Sequence, residues 1–236
     1  KGLEHHIPQE YYNRAEVLGW SRLDAIGKVK NLLNYVEDRR IDHYVFTSSP
    51  GYKGYYHSLY EKYFHAKVID KALKSSEYTS KDWDSYIFRI LNLTNKNSDL
   101  DALPGLRDIR SIIFSSVKNL SSTEDAFEIA LKVFDILLDS VDVNLENPQE
   151  QEGQDEDGES PEGGEGSEGN GGDESSEGME SSDGNDGKPE LSEPQKKQLE
   201  NAIKKQKKFM EGDIPKKNLS KKDKKTLESV ESAGMK

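Results

Sequence analysis

From Ser21 onward the apolar residues Leu23, Ile26, Val29, Leu33, Val36 and Ile41 recur three, four or five positions apart. That spacing predicts a long amphipathic helix over roughly 21–46, and Ser21 with Asp24 gives it a capping-box start. Ser-Ser-Pro-Gly at 48–51 ends it. Helical spacing resumes in the tyrosine-rich stretch from Tyr52 to Phe64, and a further helix is predicted through Val68, Ile69, Ala72 and Leu73. Ser80 is read as the start of another, with Trp83, Ile87, Ile90 and Leu91 on one face. Pro104 is placed at a helix start before Leu106, Ile109, Ile112, Ile113, Val117 and Leu120. The last strong helix is capped by Ser122 with Asp125 and carries Phe127, Ala130, Leu131, Phe134, Leu137, Leu138 and Val141 as its buried stripe. No alternating strand pattern flanked by hairpin dipeptides occurs in residues 1–145, so the predicted fold class is all-α, a multi-helix N-terminal domain.

Composition divides the chain in three. The 236 residues carry a formal charge of -12, but residues 146–190 alone hold 17 acids and one Lys, residues 191–236 hold 13 Lys and 7 acids, and residues 1–145 are close to neutral. The acidity thus belongs to one segment. That segment contains 11 Gly and one apolar side chain besides Pro, Met179, so it has nothing to offset the entropy of ordering and is predicted to be a disordered acidic linker. Beyond it, Glu193–Met210 and Ser220–Val230 read as two short Lys-rich helices, a lead-in to something that follows, and the chain as a whole reads as a fragment.

The absence of Cys excludes disulfides, thiolate zinc sites and cysteine nucleophiles. Any metal would need His and carboxylates. A reducing, cytoplasmic setting is expected, with no membrane span and no leader pattern. The tyrosine-rich run carries few cations, so core packing is favoured there over nucleic-acid stacking.

The segment richest in candidate chemistry is Asn34-Tyr35-Val36-Glu37-Asp38-Arg39-Arg40-Ile41-Asp42. On a helix Leu33, Glu37 and Ile41 stack at i, i+4 and i+8, which places a carboxylate on an apolar face. Such a carboxylate must be paired, protonated or bound to metal. Pairing with an arginine is one reading, with Arg14, Arg22, Arg40, Arg107 and Arg110 as candidate donors, and metal ligation is the other. The five histidines, His5, His6, His43, His57 and His65, form no paired metal spacing.

The nonapeptide fits N-x-x-E-D-x-R-I-[DE], which resembles the CobT-like proteins, relatives of the cobaltochelatase subunit that also occur in tailed phages. The Ser-Pro-Gly-Tyr at 49–52 is similar to the family's Pro-Gly in that place, and the order of parts agrees. The resemblance implies a zincin-like helical part at 1–145, the acidic linker at 146–190, and at 191–236 the approach to a von Willebrand factor A domain that binds Mg. It implies a MoxR-type AAA+ ATPase as partner and an adaptor or chelatase-type scaffold as function. In family members that keep a zincin site, two His of an upstream H-E-x-x-H bind Zn and the Glu of the E-D pair is a third ligand. Glu37 occupies that position, with Asp38 orienting a ligand, Arg40 as a charge partner and Asn34 opening the motif. Neither the H-E-x-x-H nor the D-x-S-x-S of a von Willebrand factor A domain is present in these residues. The alternative function implied is a zinc metallopeptidase whose H-E-x-x-H precedes Lys1.

Overall fold

The computed structural model describes residues 2–49, 51, 54, 64, 66–143 and 190–210, apart from the side chains of Phe209 and Met210. The described part is all-α: α1 (Gln9–Val17), α2 (Arg22–Ser48), α3 (Lys67–Lys74), α4 (Trp83–Leu91), α5 (Leu106–Ser116), α6 (Thr123–Ser140) and α7 (Glu193–Met210), with 3-10 turns at Leu3–His5 and Val117–Asn119. By its internal contacts the chain divides into two units, residues 1–144 with 188–236, and residues 145–187. The second unit, the tyrosine-rich run 52–63 apart from Gly54, and the Lys-rich stretch 220–230 lie outside the described residues.

The helix ends follow local chemistry. Ser21 Oγ accepts from Asp24 N while Asp24 returns a bond to Ser21 N, and Ser122 with Asp125 repeats this reciprocal cap at α6. The start expected at Ser80 falls two residues later, because Asp82 is the side chain that accepts the Ser85 amide. Pro104 precedes α5 rather than opening it. Gly105 is the residue at the cap, with φ +79°, and an added Cβ there would lie 2.6 Å from Ile136 Cγ2 of α6. Glycine is therefore required both by conformation and by close approach.

The main core lies where α2 runs along α6, the most extensive helix pair, with α1, α4 and α5 closing around it. Ala25, Val29, Leu32 and Val36 of α2 meet a layer from α6 that includes Ala130, Val133, Phe134 and Leu137. The buried face of α2 is rotated from the one the spacing suggests. Leu23 is 80% exposed and Ile41 44% exposed, while Ala25, Tyr35, Arg39 and Asp42 are buried.

A second, smaller core joins α3, α4 and α7: Ile69, Ala72, Leu73 and Phe88 pack against Leu191, Leu199 and Ile203. Although the sequence sets residues 191–236 apart as a lead-in, α7 packs into the helical unit. Leu199, Ile203 and Gln206 form one stripe at helical spacing on an otherwise Lys-rich helix, and that stripe is what α3 and α4 bury. Beneath it the Asn92 and Gln206 carboxamides exchange hydrogen bonds, with Gln206 Nε2 donating to Asn92 Oδ1 at 2.9 Å.

Candidate functional site

All nine residues of the nonapeptide lie on α2. Its charges close on neighbours one turn away. Arg40 Nε donates to Glu37 Oε2 at 2.7 Å, and Arg39 pairs with Asp42 at 3.1 Å. Glu37 is therefore paired by one of the arginines named as candidate donors. It does not sit in the middle of the buried face, because Ile41 faces solvent and Leu33 is half-buried. Glu37 Oε1 is nevertheless buried and has no hydrogen-bond partner among the described residues.

Electrostatics single out the neighbour. Burial pushes the Asp38 carboxyl up to about 7, with Arg39 opposing the rise and Asp42 and Glu37 reinforcing it. Tyr35 is 2% exposed, its phenol pushed up to about 12 by burial, with the Arg39 guanidinium 5.2 Å from its ring. Near neutrality Asp38 thus exchanges a proton under the influence of Arg39, Asp42 and Glu37 on the same helix.

The other sites named from sequence fall apart in space or lie outside the described residues. His5 is next to Glu4, His6 meets the edge of Phe127, and the His43 carbonyl accepts from the Thr47 hydroxyl. His57 and His65 are not described. Arg14 reaches Asp135 and Asp139 of α6, and Arg107 pairs with Asp101. Among the described residues no three His, Cys, Asp or Glu side chains come together as a metal-binding group. Glu37 supplies one open oxygen, and a catalytic zinc takes three protein ligands. The described residues thus do not by themselves fit zinc.

A feature that periodicity did not reveal adjoins the motif. Between α2, α4 and α7 lies a cavity of about 250 Å³, with Asn31 and Asn34 on one side, Trp83 and Ile87 on another, and Lys207 from α7. Asn34, the first residue of the motif, lines it, while Glu37, Asp38 and Arg40 do not. Trp83 is held in place by its neighbours. The Lys28 ammonium lies 4.6 Å from its ring and 4.7 Å from that of Trp20, and the two indoles meet edge to face at 5.8 Å. Burial lowers the Lys28 pKa, partly offset by Asp24 and Asp84.

The sequence also carries a signal for Arg89. It is a lone cation in the apolar run Tyr-Ile-Phe-Arg-Ile-Leu, and it is fully buried. Its guanidinium donates to the carbonyls of Leu73, Glu77 and Tyr78 at 2.8, 2.9 and 3.1 Å, tying the end of α3 and the turn after it to α4.

No helix among the described residues is long and apolar enough to cross a membrane. Comparison of the chain with protein-family models, with curated proteins and with solved structures finds no match.

Proposed function

We propose that this chain is the helical part of a CobT-like adaptor that docks a MoxR-type AAA+ ATPase and acts as a chelatase-type scaffold. The observation that supports this reading is the fate of the motif's charges. Glu37 pairs with Arg40 and Arg39 with Asp42, so the charged segment stiffens a 27-residue helix instead of converging on a reacting centre. The acidic segment at 146–190, net -16, adds a long-range attraction for a basic partner surface, and such attraction weakens with salt. Any Mg of a von Willebrand factor A domain would belong to residues beyond this chain.

The test is affinity capture with the full-length protein in its native host extract, at low and at high salt, with ATP present. Recovery of a MoxR-type AAA+ protein, diminished at high salt, is the expected result. Repeated capture that yields no AAA+ protein overturns the reading.

A second reading, a zinc metallopeptidase with Glu37 as third ligand, has one observation in its favour: the buried, unpartnered Oε1 of Glu37. Its imidazole ligands would come from outside the described residues, so no catalytic step is derived through zinc. Stoichiometric zinc in the purified full-length protein, lost on Glu37→Gln, would favour it over the adaptor. A protein whose zinc content is negligible and unaffected by that substitution excludes it.

A further inference from the structure

We propose that the cavity between α2, α4 and α7 binds a small planar aromatic monoanion, an aryl carboxylate in chemical class, and that the bound compound fastens α7 to the rest of the helical unit. At about 250 Å³ the cavity is near the lower end of small-molecule pockets, which run about 300–1,000 Å³, so it admits a compound of one or two rings and excludes one of nucleotide size.

The lining selects the shape. Leu32 and Ile87 give the lining aliphatic surface and Trp83 gives it an aromatic one that suits a ring. The indole is already fixed by its neighbours, because the Lys28 ammonium lies 4.6 Å from its ring and Trp20 meets it edge to face. A fixed side chain lowers the entropy cost of binding.

The lining also selects the charge. Lys207 is its cation and no carboxylate lines the cavity, while Asn31 and Asn34, one turn apart on α2, offer carboxamides for the polar end of the ligand. Lys207 stands 3.6 Å from Asp84, in a pair whose side chains are 50% and 68% exposed. An ion pair that open to solvent is worth about 0–1 kcal/mol, so exchanging Asp84 for a carboxylate at the cavity costs little. Lys207 belongs to α7 whereas the rest of the lining belongs to α2 and α4, so an occupant holding both ends resists release of α7.

The experiment titrates the full chain with 2-naphthoate and, separately, with the uncharged 2-acetylnaphthalene, following the Trp83 indole resonance by NMR and α7 by amide exchange. The expected result is a saturable Trp83 shift with 2-naphthoate and slower exchange in α7. Lys207→Gln should weaken 2-naphthoate roughly two- to fivefold and leave the uncharged probe unchanged. Asn31→Phe, at an exposed position on the rim, should block both probes. Three outcomes each overturn the proposal: no saturable shift at Trp83, equal affinity for 2-naphthoate in wild type and Lys207→Gln, or unimpaired binding in a folded Asn31→Phe protein.

Discussion

Arg89 is fully buried, yet its partners are three main-chain carbonyls instead of a carboxylate. One of them belongs to Tyr78, which holds the left-handed φ of +53° and stacks on Phe88 with centroids 4.4 Å apart. Arg89→Met keeps the apolar stem but strips donors from three oxygens, and the expected loss is on the order of 3 kcal/mol or more, read from urea unfolding. Arg89→Lys should recover less than half of it, since one ammonium cannot span the fork of a guanidinium. A loss below about 1 kcal/mol in Arg89→Met would show that these bonds do not hold the turn. Asp38 gives a pH test. Its folded pKa of about 7 exceeds the ordinary 3.8, so the native state binds this proton more tightly than the unfolded chain does. The stability so gained is complete below about pH 4 and is lost as pH rises through 7. Asp38→Asn should therefore stabilise the protein by about 2–4 kcal/mol at pH 8 and hardly at all at pH 4, in paired urea titrations. The pairing of Glu37 was legible as one of two readings, because a carboxylate within reach of arginines at helical spacing tends to find one. The proton of Asp38 was not legible, since it depends on burial that comes from other helices.

At the scale of elements, helices with a periodic apolar stripe were legible whether or not a side chain caps them, since α3 and α5 lack such a cap and were still predicted. Ser21 with Asp24 and Ser122 with Asp125 announced α2 and α6, whereas α1 was not anticipated. Pro8 at its N-cap makes no side-chain hydrogen bond and only Tyr12 and Ala15 are buried within it. It is held from outside, by its packing on α2 and α6 and by Arg14 reaching Asp135 and Asp139. The rotated face of α2 has a related cause. Its core positions include a small residue, Ala25, and a charged one, Arg39, so the larger but exposed Leu23 and Ile41 drew the stripe off its true line. For α7 the few apolar residues are diluted by lysines, yet Leu199 is 2% exposed and Gln206 is fully buried. Leu199→Ala should cost about 2–4 kcal/mol and should appear first as faster amide exchange in α7, with α2 and α6 protected until global unfolding. Simultaneous loss of protection in α2 and α7 would mean that the small core and the main core open together.

For the whole molecule, the three-part charge layout was legible, but charge does not mark where the helical unit ends. Residues 144 and 188 border the same unit, so the acidic segment leaves it and returns to it. Composition decides what that connection should do. With 11 Gly and one apolar side chain besides Pro across 146–190, the segment offers no core and its contribution to docking α7 is expected to be the entropy of closing a loop. Loop closure scales with the logarithm of length, so halving the loop should favour the docked state by about 0.6 kcal/mol. Excising residues 155–177 removes about half of the segment and leaves every described residue in place. Amide exchange in α7 should then slow about threefold, with the urea midpoint for the main core unchanged. Faster exchange in α7 would show that the acidic segment makes contacts that hold the helix, and the entropic account of the connection would have to be abandoned.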